Sequence, residues 1–266
     1  MMPFPGTVKI LVDLFVTLLM WGYFTLGFLL FFAPRYLWAL LRAGDREVAF
    51  QRLNQRYFRS FIKLLRLITP GMTLRIHPDI AAIHSSVVIA NHLSYLDPLL
   101  LISLFEKQKT IVKKTFFKVP IFSYLLRRSG YIPSNNGGED KSLILRNIEG
   151  IKEYLASGGN IFVFPEGTRS RTGRLGPFSK GAFSIAYYCR APIECLQIRG
   201  TNRLFVPGRS LFNTCVSTTI EVERIGSFTP DYRDADFRLS ALIQDIRALY
   251  EEHICDDQSK LHDESL

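Results

Sequence analysis

Cysteine is scarce in this chain of 266 residues, and the four present form no CxxC pair and no clustered His/Cys spacing suited to a metal. Cys189, Cys195, Cys215 and Cys255 therefore read as reduced thiols of a cytosolic compartment, His253 beside the last of them notwithstanding. No metal site is expected. A Gly-rich nucleotide loop, a GxSxG elbow and an HExxH helix are also missing, which removes the commonest signatures of nucleotide binding, serine hydrolysis and zinc-dependent hydrolysis. Negative charge is thin: 24 acidic against 33 basic residues give a net charge of +9. From residue 35 to residue 66, eight arginines and lysines face only Asp45 and Glu47. From Leu14 to Pro34 there is no charge of either sign.

That charge-free run is 21 residues long, which matches the roughly 20 residues needed to cross a bilayer core. It is too long for the apolar part of a signal peptide and no A-x-A site follows it, so a membrane-inserted helix is expected. Lys9 and Asp13 sit just before it, and both a full span and a dip into one leaflet stay open. The basic excess that follows places this side in the cytoplasm by the positive-inside rule, at the plasma or inner membrane if the chain is bacterial. Arg52, Arg56, Arg59, Lys63 and Arg66 recur at steps of four and three, the stripe of one helix, while Phe50, Leu53, Tyr57, Phe58, Phe61 and Leu65 supply an apolar face. Such a helix can lie at the interface with its stripe toward anionic headgroups, or pack on a soluble domain with a solvated basic face. Thr69-Pro70-Gly71 ends it. Positive charge placed against an anchor favours lipid over nucleic acid as partner, and no aromatic-interleaved basic motif occurs elsewhere. The chain divides into anchoring helices over 1–70 (apolar 14–34, basic amphipathic 46–68), a domain over 71–255, and a polar tail over 256–266 expected to fray.

Hydrophobic residues make up 47% of the chain, ample for a sizeable core. From about residue 72 short apolar runs alternate with amphipathic stretches. Strands are expected at 87–90, 110–112, 161–164, 193–198 and 218–223, and helices from Pro98 to about Phe105 and over 120–128, 140–156, 178–189 and 237–255. This alternation predicts an α/β domain with a mostly parallel sheet flanked by helices, preceded by an N-terminal membrane-associated helical segment.

Two polar loops follow predicted strands. After Val87–Ala90 comes Asn91-His92-Leu93-Ser94-Tyr95-Leu96-Asp97-Pro98, with Asp97 expected as helix N-cap and Pro98 at the first helical position. Residues five apart in one helix point about 140° apart, so His92 and Asp97 meet only if the loop folds back over the helix start. The pair would then be the base half of a charge-relay arrangement, without a protein nucleophile. On this segment alone, a capping aspartate and a loop-satisfying histidine remain an alternative. The second loop, Phe164-Pro165-Glu166-Gly167-Thr168-Arg169-Ser170, leaves the strand at 161–164. Gly167 permits a tight turn and Arg169 offers a fork suited to phosphate. Ligands in open α/β sheets bind at the carboxyl ends of strands, so both loops can face one site.

Together these loops resemble the HxxxxD and FPEGTRS motifs of the glycerolipid and lysophospholipid acyltransferases. The resemblance extends through Lys113-Lys114 to Pro120, through Phe178–Phe183, and to Ala191-Pro192-Ile193, covering roughly 76–200. It implies transfer of an acyl group from a thioester, acyl-CoA or acyl carrier protein, to a lysolipid hydroxyl, with 1-acyl-glycerol-3-phosphate as the leading acceptor and phosphatidate as product. His92 would be the general base and Asp97 its orienting partner. Glu166, Gly167, Thr168 and Arg169 would line the acceptor site, Arg169 and Lys113 on its phosphate. No bound cofactor is implied. Two positions depart from the family pattern. Asn136 falls where an arginine of a GxxFIxR block helps hold phosphate, and Cys195 stands where a second proline is common. One charge-assisted contact to phosphate is worth about 1.5–3 kcal/mol, so Arg127, Arg128 or Lys113 compensates, or the acceptor is another lysophospholipid or an amino-acid-headed lysolipid. A catalytically silent, membrane-anchored binding protein of the same fold is the rival from another class.

Overall fold

The computed structural model describes residues 6–134 and 148–263. The Asn136 position and the start of the helix expected from residue 140 lie outside the described residues.

The chain opens with one long helical rod: α1 (Gly6–Gly22), a π-wound stretch (Tyr23–Phe32) and α2 (Ala33–Arg42). Its outer side is bare and apolar, with Phe15, Leu18, Trp21, Leu30 and Trp38 each more than half exposed. Its inner side carries Asp13, Val16, Thr17 and Met20, which recur at helical spacing and are buried. The helix α3 (Arg46–Ile68) starts where Asp45 accepts a hydrogen bond from the Val48 N–H at 3.0 Å. It buries Phe50, Leu53, Tyr57, Phe58, Phe61 and Leu65 and leaves Arg52, Arg56, Arg59, Lys63 and Arg66 exposed, so the basic stripe legible in the sequence faces outward.

Seven strands follow, β1 (Met72–Ile76), β2 (Val87–Ala90), β3 (Gln108–Lys113), β4 (Ile132–Ser134), β5 (Asn160–Val163), β6 (Ile193–Arg199) and β7 (Thr218–Phe228), in the sheet order β1-β7-β6-β2-β5-β3-β4. The pairings are parallel except β6 with β7. Physical chemistry separates the two kinds. β2 and β5 are buried throughout and, after Asn160 at the start of β5, read as unbroken apolar runs. β7 begins by alternating, Thr218, Ile220 and Val222 inward against Thr219, Glu221 and Glu223, as an antiparallel strand with one covered face does.

The helices α4 (Leu96–Leu104), α5 (Phe122–Arg128), α6 (Ile148–Ala156), α7 (Lys180–Cys189), α8 (Thr201–Leu204) and α9 (Leu239–Asp263) complete the layers. Successive strand residues point to opposite faces. Val88, Ala90, Phe162 and Ile198 meet α3 and α4 on one face, whereas Val87, Ile89, Ile161 and Ile193 meet α6, α7 and α9 on the other. Val16 and Met20 of α1 belong to the first of these clusters. The helices before residue 70 and the sheet thus share a core. Three local expectations are corrected. α4 begins at Leu96 with Tyr95 at its cap, so Asp97 lies inside the first turn. Two edge strands go beyond the expected set: β1, which is mostly uncovered and forms no apolar run, and β4, which has only three residues. The helix of the last segment continues through Asp263, because no glycine or proline interrupts residues 256–263.

Candidate active site

Three adjacent strands build the site. β2 lies between β6 and β5, parallel to both, with Val87 beside Ile193 and Ile161. The loops leaving β6, β2 and β5 therefore emerge side by side at one end of the sheet. Asn91 fixes the first of them: its side-chain amide donates to the Ile198 carbonyl at 2.9 Å and accepts from the Ile198 N–H at 2.7 Å, a two-way clamp onto β6.

His92 follows directly. Its Nδ1 lies 3.0 Å from Asp97 Oδ2. The same oxygen accepts the N–H groups of Leu93 at 2.6 Å and Ser94 at 2.7 Å. The carboxylate thus turns backward onto its own loop instead of capping α4, and that fold-back spans the five-residue separation. Asp97 Oδ1 accepts from the Thr201 hydroxyl at 2.5 Å. Asp97 and Thr201 are both fully buried. Four donors on one buried carboxylate fix its position and orientation. In a neutral ring, a proton on Nδ1 facing the carboxylate leaves the Nε2 lone pair, to which no described residue hydrogen-bonds, able to accept a proton. The imidazole also stacks on Phe164, with centroids 4.3 Å apart and planes inclined by 23°, which fixes its remaining rotation.

Glu166 ties the β5 loop to the β2 loop. One carboxylate oxygen accepts the His92 N–H at 2.9 Å and the other accepts the Gly176 N–H at 2.8 Å. The Ser170 N–H completes the seam by donating to the His92 carbonyl at 2.8 Å. Burial pushes the Glu166 carboxyl above its ordinary range, and the two N–H donors draw it part of the way back. Both oxygens are already engaged, so Glu166 acts here as a strut between loops. Gly167 closes the turn, its N–H donating to the Phe164 carbonyl at 3.0 Å with φ at +66°, a conformation that favours glycine.

Arg169 stacks its guanidinium 4.0 Å above the Tyr95 ring. None of its N–H donors is engaged by a described residue, so they remain available to an anion. Gly167 and Thr168 are exposed at the turn. Lys113 ends β3, one strand beyond β5, exposed on the same end of the sheet. The structure thus joins His92, Asp97 and Glu166 by direct hydrogen bonds, brings Arg169 onto the same loop, and leaves Lys113 at the margin. Sequence reasoning missed Thr201. It lies 104 residues from Asp97, and its only sequence signal is its place just after a strand that neighbours β2.

The thiols of Cys189 and Cys195 offer no nucleophile here. Burial pushes Cys189 up to about 11 and raises Cys195, which is wholly buried, further still. No group of three or more His, Cys, Asp or Glu side chains suited to a metal occurs among the described residues.

The acyltransferase family model matches residues 73–199, which contain every site residue above except Thr201. A chloroplastic 1-acyl-sn-glycerol-3-phosphate acyltransferase of Brassica napus, BAT2, is 35% identical over 46% of this chain and 35% of its own length. The 1-acyl-sn-glycerol-3-phosphate acyltransferase of Cocos nucifera is 33% identical over 66% of this chain and 56% of its own. That of Saccharomyces cerevisiae is 31% identical over 56% and 53%. The chain thus spans between about a third and somewhat over half of the curated relatives it matches. The crystal structure of the 1-acyl-sn-glycerophosphate (LPA) acyltransferase PlsC from Thermotoga maritima superposes with a TM-score of 0.66 over 90% of this chain and 96% of that one, at 21% identity, and so shares the fold. With the motif loops and the sheet in agreement with the matched segment, residues 73–199 form a domain of the acyltransferase family.

Proposed function

We propose that the protein is a membrane-associated acyltransferase that moves a fatty acyl group from an acyl thioester to the free hydroxyl of 1-acyl-glycerol-3-phosphate, giving phosphatidate. The observation that carries this reading is His92, held through Nδ1 by a carboxylate with four donors and open at Nε2. The hydroxyls of the neighbouring Ser94 and Ser170 donate to the Phe205 and Arg174 carbonyls, so a base so arranged takes its nucleophile from the substrate.

The acceptor hydroxyl gives its proton to His92 Nε2 as its oxygen attacks the thioester carbonyl. The imidazolium that forms is stabilised by Asp97. Collapse of the tetrahedral intermediate breaks the C–S bond, and the departing thiolate recovers the proton from His92. Arg169, with its donors free, suits the acceptor phosphate. The names of the relatives support the acceptor, and acyl-CoA or acyl carrier protein supplies the thioester. The helical stretch Gly6–Arg42, with only 22% of its most apolar window buried, suits attachment to the cytoplasmic face of the membrane where such an acceptor lies. Asp13, Val16, Thr17 and Met20 are committed to the protein, so α1 lies along the bilayer surface with its bare side inserted.

His92→Ala abolishes acyl transfer while leaving the protein folded and vesicle-bound; retained activity in that variant refutes the mechanism. An acceptor panel of lysophosphatidate, zwitterionic lysolipids and a phosphate-free lysolipid tests the substrate. Preference for a phosphate-free acceptor would reassign it and make Asn136, where the family carries an arginine, the reason.

A further inference from the structure

The stretch after β3 has a composition that the active site does not use. Residues 113–128 hold Lys113, Lys114, Lys118, Arg127 and Arg128 and no acidic residue. Between these cations Phe116, Val119, Ile121 and Tyr124 are 43%, 47%, 64% and 43% exposed. The backbone is strained where it presents them. The Phe122 N–H donates to the Pro120 carbonyl at 2.6 Å, and Ile121 between them has φ 63° and ψ −56°. This is the rarer, non-inverse γ-turn. A β-branched residue at positive φ is an outlier there, and such strain gathers at functional segments.

The surroundings identify what the strained turn meets. Exposed apolar side chains ringed by lysines suit the boundary between headgroups and acyl chains, where the side chains insert and the ammonium groups reach phosphates. The segment is also continuous with the anchoring helices. Tyr124 packs edge-on against Phe50, Phe50 packs against Tyr36 of α2, and Leu125 joins the cluster containing Tyr36, Ala39, Phe50 and Leu53. On α2 itself, Leu37, Trp38 and Leu41 are bare. We propose that Phe116–Tyr124 is a second membrane contact, which inserts Val119 and Ile121 into an anionic phospholipid bilayer with Lys114 and Lys118 on lipid phosphates. The proposal rests on the membrane attachment proposed above. Two contacts, α1–α2 and this turn, fix the rotation of the domain about its anchor. The turn begins at the carboxyl end of β3, so it brings the strand ends that carry His92 and Arg169 to headgroup level.

The chain has two tryptophans, Trp21 and Trp38, and replacing both by phenylalanine leaves room for one reporter. Ile121→Trp in that background, as full-length protein reconstituted in phosphatidylglycerol/phosphatidylcholine vesicles, is expected to show blue-shifted emission and quenching by brominated lipid. Lys114→Gln with Lys118→Gln is expected to lose most of that quenching while the protein still co-floats with the vesicles. Val119→Trp provides the same reading should the first variant misfold. Reporters that stay wet and unquenched in protein that co-floats would overturn the second contact alone. Wet reporters that become shielded only on adding an acidic carrier protein would make the surface a protein-docking site instead. Protein that co-floats with no vesicle would overturn the membrane attachment itself.

Discussion

Thr201→Val isolates the contribution of a single buried hydroxyl. The substitution keeps the side-chain shape and removes the donor 2.5 Å from Asp97 Oδ1. The other three donors, His92 Nδ1 and the N–H groups of Leu93 and Ser94, all sit on Oδ2. Oδ1 is therefore left without a partner in a fully buried position. A hydrogen bond to a charged group is worth about 1.5–3 kcal/mol. If that share is lost from the carboxylate that stabilises the imidazolium, kcat falls by roughly 10- to 150-fold. In the proposed mechanism the acceptor meets His92 and Arg169 and not the buried Thr201, so its KM should hardly move. Initial rates of acyl transfer over a range of acceptor concentration measure both constants, and Thr201→Ser should recover most of kcat because it restores the donor. A purely structural role would lower the melting temperature and spare the turnover of the folded fraction. Turnover within about a factor of two of the parent, with Thr201→Ser no better than Thr201→Val, would refute the coupling.

Glu166→Gln replaces one acceptor oxygen by an amide that faces an N–H, so it should loosen the seam between the two loops and lower kcat without abolishing it. The pH dependence follows from the raised Glu166 carboxyl. A folded-state value above the unfolded one favours folding below it, and this group withdraws stability as pH rises through that value. Thermal unfolding across the acidic range should show that component in the parent and lack it in Glu166→Gln; identical profiles would refute it. Asp13→Ala leaves the Thr214 N–H and hydroxyl without the oxygen they share at 2.7 Å. It should cost about 3 kcal/mol, measured as a lower midpoint in detergent-solubilised protein, and an unchanged midpoint would mean that the Asp13–Thr214 contact carries no load.

What could be read from the chain beforehand follows the range of the interactions involved. β2 and β5 were legible because strands buried on both faces need unbroken apolar runs, and the α3 stripe because helical spacing is local. The antiparallel setting of β7 was not legible, since pairing direction is decided by distant strands. Asp97 was misplaced by one turn element: Pro98 marks an early helical position equally well whether Tyr95 or Asp97 is the cap, and three backbone and ring donors on one oxygen decided the matter. Glu166 read as a ligand-facing carboxylate because its two N–H partners, at His92 and Gly176, lie 74 and 10 residues away. Thr201 and Asp13 act across 104 and 201 residues, and a short polar side chain gives no periodic signal of such a partner.

Val16 and Met20 sit in the same buried cluster as Phe58, Leu100 and Phe162, and this bears on how the protein can be handled. A truncation that removes the greasy rod to gain solubility would strip the lid from those residues and exchange one sticky surface for another. The amphiphile that covers Leu18, Trp21 and Leu30 behaves instead as a ligand of the native state. By mass action it raises the melting temperature with its own concentration, so a thermal shift screen of detergents and lipids on the full chain is also a binding assay.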